Sequence, residues 1–337
     1  MNRKLISLLR CPKSGQELSI EILEEINGDI HQGLLHTKDR SITYKIIDGI
    51  PRFVPIENYS DSFGLQWSIF SQTQLDSFSG IPSSKYRFWD ATNWTPDALK
   101  GKLVLDVGCG AGRFTEIALD SGAFVISTDL SFSVDAAKNN LKNHPNFKNL
   151  LLVQADITKP PFLDSTFDFV YCLGVLQHTP DPKASFFALP KLVNQHGKLT
   201  VDYYCRNIKS IFLPKYFLRP LLKFLPNSML LSLIRISVSI LLPLSALIGK
   251  MPYGHVFKRL LPIADPLYFF QRNYRYNKTI AYELRKNWSI LDTFDWYSPK
   301  YDNPQTVKTI TQWINDTGFN EIEVLKAGHM VARGTKP

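Results

Sequence analysis

The chain has 337 residues, 44% of them hydrophobic and 20% charged, with 18 Gly, 21 Pro and four Cys. That composition excludes collagen-like, disordered and disulfide-scaffold classes, and the length suits about two domains of ~100–200 residues each. Lys and Arg outnumber Asp and Glu by 39 to 30, a net charge of +9 that directs attention to an anionic partner or surface.

Cys11, Cys109, Cys172 and Cys205 stand singly with no C-x-x-C pair, which points to a reducing cytoplasm. The opening MNRKLISLLRCPKSG has a short apolar patch but neither a long apolar core nor a small-residue cleavage site, and it reads as mature protein. Four segments then separate by texture. Residues 1–56 carry short alternating runs (ELSIEIL, SITYKII) and form a small β-rich module. Residues 57–100 are rich in Ser and aromatics and are expected to be a helical connector. Residues 101–205 and 304–337 alternate strand and helix at βαβ spacing. Residues 206–303 interrupt that alternation as a mainly helical insertion.

Within the alternating region LVLDV (103–107) predicts a buried strand, followed by a glycine turn and a helix RFTEIALDSG closed by Gly122. FVISTD (124–129) is the second strand, and Ser131 or Ser133 caps the helix after it. LLLVQAD, FDFVYCLG and KLTVDYY add three strands, with a helix around PKASFFALPKLV. PQTVKTITQWINDTGF reads as a helix stopped by Gly318, before a closing antiparallel pair, EIEVLKA and HMVARGT.

The charge is localised. Arg206, Lys209, Lys215, Arg219, Lys223, Arg235, Lys250, Lys258 and Arg259 lie between residues 206 and 264 without one acidic residue, and the rest of the chain balances to zero. The same stretch contains MLLSLIRISVSILLPLSALIG, long enough to span a bilayer, although Arg235, Pro243 and Pro226 count against a span. Nucleic-acid binders set their basic patches among polar and Gly residues rather than Leu and Ile. The block therefore suggests a substrate lid or peripheral contact with the inner face of a membrane, and no nucleic-acid partner is expected. Buried helices of a large lid would have nearly the same composition.

The sharpest signal is Asp106-Val-Gly108-Cys109-Gly110-Ala-Gly112, a strand ending in an acid followed by three alternate glycines. Such a turn lets backbone N–H groups and a helix N-terminus approach an anion closely. Its G-x-G-x-G spacing differs from the G-x-G-x-x-G of dinucleotide folds. It resembles the first motif of class I S-adenosylmethionine-dependent methyltransferases, and three further segments resemble that family in the same order. Asp129, with Leu130 after it, matches the acid that holds the ribose hydroxyls. Asp156, with Ile157 beside it, matches the adenine contact. FDFVYCLGVLQHTPDP, containing Leu173, matches the motif at the rim of the transfer site. The resemblance implies S-adenosyl-L-methionine as cofactor. It also implies an α/β fold with a seven-stranded Rossmann-like sheet holding one antiparallel strand.

The opening LLRCPKSGQEL and YKIIDGIPRFVP resemble the zinc-ribbon-like module of tRNA methyltransferase activator subunits. Cys11 is kept, but Ser14 stands where that family has its second Cys, and the residues just before Tyr44, where the family has its second pair, contain no Cys. With only His31 and His36 as substitutes, a metal-free module is expected. FGLQW, which contains Gln66 and Trp67, and DTFDWYSPKYDNPQT resemble bacterial methyltransferases carrying such a module, and the former implies a fold over the methionine end of the cofactor.

His178, in the loop after the fourth strand, is the candidate general base for a hydroxyl acceptor. Tyr203 and Tyr204 end the fifth strand and could shape the acceptor pocket. Asp295, Trp296, Tyr297 and Asp302 could close that pocket or dock the insertion. The function expected is O-methylation of a small, apolar or amphiphilic acceptor, lipid-like or glycan-linked, in a bacterial biosynthetic pathway. The alternatives are tRNA or protein methylation, which the missing N-P-P-[YF] motif weakens, and a non-catalytic cofactor-binding scaffold.

Overall fold

The computed structural model describes residues 3–55, 60–206, 213–268, 270 and 280–337; the expected boundary at residues 56 and 57, and Lys209, lie outside them. The opening segment is an antiparallel ladder of β1 (Leu18–Ile26), β2 (Asp29–Thr37), β3 (Thr43–Ile47) and β4 (Ile50–Arg52). The alternating region supplies β5 (Leu103–Val107), β6 (Phe124–Asp129), β7 (Leu150–Gln154), β8 (Phe167–Cys172) and β9 (Val193–Tyr203). β10 (Asn320–Ala327) and β11 (His329–Thr335) close the chain.

The eleven strands of the described residues form one sheet in the order β1-β2-β3-β4-β7-β6-β5-β8-β9-β11-β10. The seven strands from β7 to β10 are the expected Rossmann-like set, with β11 antiparallel to both of its neighbours. The strand count is corrected by the four added in front. β4 joins β7 through the single pair Arg52↔Gln154, and the Phe53 N–H donates to the Gln154 carbonyl at 2.9 Å. An uncovered β7 would expose a row of unpaired backbone groups, so the opening module covers that edge. Arg52 also grips Asp135 with both guanidinium nitrogens, at 3.0 and 2.6 Å.

The central strands are almost wholly buried, as parallel strands covered on both faces must be. Helices Arg113–Asp120, Ser133–Leu141, Pro182–Leu192 and Val307–Asn315 belong to these crossovers. Asp181 caps the third, accepting from the N–H groups of Lys183 and Ala184, and Thr306 caps the fourth. The helix after β6 departs from expectation: Phe132 occupies its cap position, while Ser131 Oγ accepts the Ser133 N–H at 3.1 Å. From β5 the chain winds outward to β6 and β7, then returns to β8 on the opposite side of β5. Open α/β sheets bind ligands at such a switch point, beyond the carboxyl ends of the strands.

The insertion builds a second core above that crevice. Helix Asn227–Ile248 buries Leu230, Ile234, Val238 and Leu242, spaced one turn apart, in a cluster with Trp288, Leu291 and Phe294 of helix Tyr282–Tyr297. Phe70 and Ile81 of the connector join the same cluster. The basic block does not all face outward, because Lys215 pairs with buried Asp302 at 2.7 Å and Arg219 donates to the carbonyls of Trp296 and Pro299. Both cations tie the start of the insertion to its end.

Candidate active site

A cavity of about 440 Å3 occupies the switch point, within the range of ~300–1,000 Å3 usual for small-molecule sites. One wall is the glycine turn. Gly108 and Gly110 have φ of +79° and +53°, a region that side-chain-bearing residues rarely enter. A Cβ at Gly108 would lie 2.2 Å from Val175, and one at Gly110 would lie 3.1 Å from the Trp67 ring. Gly112 opens the helix Arg113–Asp120 and packs on Leu141. The turn is thus pressed between β8's loop, the connector and the helix after β6.

Gln66, Trp67, Gly108, Cys109, Gly110, Asp129, Leu130, Ile157, Leu173 and His178 all line this cavity. Asp129 sits at the tip of β6, where its carboxylate accepts the Gly110 N–H at 3.0 Å and the Ser131 N–H at 2.9 Å. Gln154 donates to the Leu130 carbonyl while accepting from Arg52, so the opening module reaches the floor of the site through one side chain.

Four expected residues do not line the cavity. Asp106 lies buried beneath the turn, accepting from Thr115 Oγ1 at 2.7 Å. Burial pushes its pKa up to about 7, the hydroxyls of Thr115 and Tyr171 oppose the shift, and the charge of Asp129 adds to it. Asp106 therefore braces the turn. Gly112 serves packing. Asp156 forms a local turn with the Thr158 N–H and hydroxyl, both at 2.8 Å, between lining residues Ala155 and Ile157. Tyr203 is corrected most clearly: its side chain is in the hydrophobic core. Successive strand residues point to opposite faces, so Tyr204 takes the cavity position.

The other end of the cavity gathers polar groups around His178. A carbonyl only accepts, so the 3.1 Å contact between His178 Nδ1 and the Tyr301 oxygen puts a proton on Nδ1, and in the neutral imidazole the lone pair then falls on Nε2. Nε2 lies 3.9 Å from Asp295 Oδ2, which accepts the Tyr204 hydroxyl at 3.1 Å. Phe63 and Tyr204 hold the imidazole edge-on. Asp292, one turn before Asp295, accepts from Gln74, which in turn accepts from Arg113 at 2.7 Å. Burial, then the charge of Asp295, raises the Asp292 pKa to about 7 against the pull of Arg113, Arg87 and Gln74. His329 stacks on Tyr204 and is held neutral, its pKa lowered to about 3 by burial and then by Arg87. Of the four residues before the resumed fold, Asp295 and Trp296 line the cavity, whereas Tyr297 bonds to the Pro262 carbonyl and Asp302 to Lys215.

Among the described residues no cluster of three or more His, Cys, Asp or Glu is placed to hold a metal. Cys11 Sγ contacts the Tyr44 hydroxyl at 3.3 Å, His36 engages Thr43 and Glu21, and His31 faces Asp48.

Residues 105–201 match a methyltransferase domain family. The chain carries a methyltransferase domain of the class I S-adenosylmethionine-dependent type. A ubiquinone biosynthesis O-methyltransferase of Coxiella burnetii is 37% identical over 114 residues, 33% of this chain and 47% of that protein. Its counterpart in Idiomarina loihiensis is 36% identical over 115 residues, 34% of this chain and 47% of that protein. The chain spans about half the length of the curated relatives it matches. Magnesium protoporphyrin IX methyltransferase of Synechocystis, solved with bound SAH, overlaps 71% of this chain and 75% of its own at 15% identity and TM-score 0.36. The strand order, not that overlap, defines the fold here.

The cavity of the methyltransferase domain fits the class's cofactor on its own chemistry. Among the described residues Gln66 Oε1 is buried without a hydrogen-bond partner, and Gln66 lines the cavity, an acceptor suited to an ammonium group. Gly108 and Gly110 leave room where any side chain would intrude, and Asp129 offers a carboxylate on the cavity wall beside them. The sequence alone did not single out Arg87, Gln74, Arg113, Asp292 or His329. They lie in the connector, on the helix after the turn, in the insertion and on the last strand, and no short motif joins them.

Proposed function

We propose that the protein is an S-adenosylmethionine-dependent O-methyltransferase that acts on a small, apolar or amphiphilic acceptor in a bacterial biosynthetic pathway. The observation that carries this reading is His178. Its tautomer leaves Nε2 as a proton acceptor at the cavity end opposite the glycine turn. The ubiquinone biosynthesis O-methyltransferases among its relatives support oxygen as the accepting atom. S-adenosylmethionine would supply an electrophilic methyl group on a sulfonium, and its transfer leaves a neutral thioether.

Gln66, the Gly108–Gly110 turn and Asp129 hold the cofactor by its methionine end and its sugar. The chain's main contribution is then orientation, with the acceptor oxygen held in line with the methyl group and water kept out by Trp67, Phe63 and the insertion. His178 Nε2 takes the hydroxyl proton as the oxygen attacks. Asp295, 3.9 Å away, stabilises the imidazolium that forms. Ile263, Ala264, Phe270 and Trp288 supply an apolar wall for the body of the acceptor.

The reading is tested by calorimetry with S-adenosylmethionine, with nicotinamide and flavin nucleotides as controls. Release of the demethylated cofactor is then followed in the presence of hydroxylated amphiphiles. Binding of a nicotinamide or flavin nucleotide instead, or cofactor binding with no methylated hydroxyl product, would overturn it.

A further inference from the structure

The insertion leaves half of an apolar helix uncovered. Along Asn227–Ile248, Met229, Leu233, Ile236, Ile240, Leu244 and Leu247 are exposed, and their spacing of three and four places them on one face. They lie opposite the face that Leu230, Ile234, Val238 and Leu242 bury in the body. Phe217, Leu221 and Phe224 add exposed apolar side chains from the preceding helix and its end, Phe224 being 78% accessible. Tyr253, Phe257 and Leu260 add more from the short helix Gly254–Lys258 and its flanks. A soluble protein rarely leaves so long an apolar surface to water without a partner for it.

The charge of this face selects the partner. No acidic residue occurs between residues 206 and 264, while Lys223, Arg235 and Lys250 are exposed among the apolar side chains. Long cationic side chains can bury their stems in an interface and keep their heads at the level of lipid phosphates. A second copy of the chain would bring the same cations into contact with them. A bilayer crossing would require the helix to abandon the inner face that it shares with Trp288 and Phe294. We propose that the outer face of residues 214–261 docks on an anionic lipid surface.

The cavity reaches this face. Ser245, Lys258, Arg259 and Leu261 line it, and each is adjacent in sequence to one of the exposed residues Leu244, Phe257 and Leu260. Given the methyl-transfer reading, the acceptor is an amphiphile drawn from the membrane, and Arg259, on the cavity wall beside exposed Leu260, is placed to meet its anionic headgroup, whereas Lys258 is paired with Asp265 at 3.5 Å. The docking face itself does not require that reading.

The test is sedimentation of the full chain with phosphatidylglycerol or phosphatidylcholine vesicles, at low salt and at ~1 M salt, where screening reaches within ~3 Å. The chain should pellet with phosphatidylglycerol at low salt and remain in solution in the other conditions. Ile236→Glu with Ile240→Glu should weaken partitioning at least ~10-fold while calorimetric cofactor binding stays unchanged. Lys223→Glu with Lys250→Glu, on the surface and clear of the core, should weaken it and flatten its salt dependence. A chain that stays in the supernatant with phosphatidylglycerol at low salt would overturn docking. So would both double variants pelleting like the parent, or a concentration-dependent dimer that the Glu variant disperses. Vesicle binding without any cofactor binding would uphold the docking face and overturn the methyl-transfer reading.

Discussion

The two ends of the cavity are built on different principles. At the glycine turn the backbone forms the site: positive φ angles, a neighbouring valine and a ring leave a space with no side chain in it, and buried Asp106 braces it from below. At the far end side chains from four separate segments meet, with Gln74 from the connector, His178 after β8, Tyr204 after β9 and Asp295 from the insertion. A site made of backbone is tied to contiguous sequence and to one ligand geometry. A site assembled from distant side chains can be altered one residue at a time. Substitutions at the two ends should therefore have separable effects.

The largest effect is expected at His178. His178→Ala should lower kcat by about 10²–10⁴-fold, the usual contribution of a positioned base, while cofactor affinity measured by calorimetry stays within error. A matching loss of cofactor affinity would mean that the two ends are one unit.

Asp129→Asn should have the converse signature. It keeps the shape but loses the charge, and a hydrogen bond to a charged group is worth about 1.5–3 kcal/mol, or ~10–150-fold in cofactor affinity. The Gly110 and Ser131 N–H groups donate to different carboxylate oxygens, of which the amide keeps only one, so a smaller loss of stability, about 0.5–1.5 kcal/mol, should accompany the loss of affinity. Equal losses in cofactor affinity and in stability would make Asp129 a brace like Asp106.

The same contrast separates what the sequence shows on its own from what only packing creates. β5, β6 and the glycine turn were legible because a buried parallel strand is a continuous apolar run and the turn is a short contiguous motif. The pairing of β4 with β7 was not, because it rests on one residue pair and on Arg52, whose partners Asp135 and Gln154 are 83 and 102 residues away. The choice between Tyr203 and Tyr204 depended on strand register, where a slip of one residue exchanges core for cavity. Asp292 carried no signal at all: its raised pKa arises from burial beside Asp295, and both are properties of the packed insertion.

Tyr204→Phe should produce a smaller effect. The lost hydroxyl donates to Asp295 Oδ2, and a neutral hydrogen bond contributes about 0.5–1.5 kcal/mol, or ~2–10-fold. The loss should fall on kcat/KM for the acceptor, because Asp295 loses the hydroxyl that holds it beside His178. An unchanged kcat/KM would remove Tyr204 from the acceptor end and leave it only as packing for Lys215, whose ammonium lies 4.6 Å from its ring centre.

The smallest effect is a pH dependence confined to the insertion end. Asp292 has its folded pKa raised from an ordinary 3.8 to about 7, so the folded protein holds a proton that the unfolded chain releases. Below pH 4 both states are protonated and the group is neutral in its effect. As pH rises from 4 to 7 the wild type loses stability progressively, and above 7 the loss is complete. Asp292→Asn cannot ionise and can still bond to Gln74, so its melting temperature should match the wild type near pH 4 and exceed it by a few degrees at pH 8. Cofactor affinity should not follow that curve, because Arg113 and Gln74 stand between Asp292 and the glycine turn. A cofactor affinity that tracked the same titration would mean that the carboxyl pair and the turn share one electrostatic unit, and the division of the cavity into two independent ends would fail.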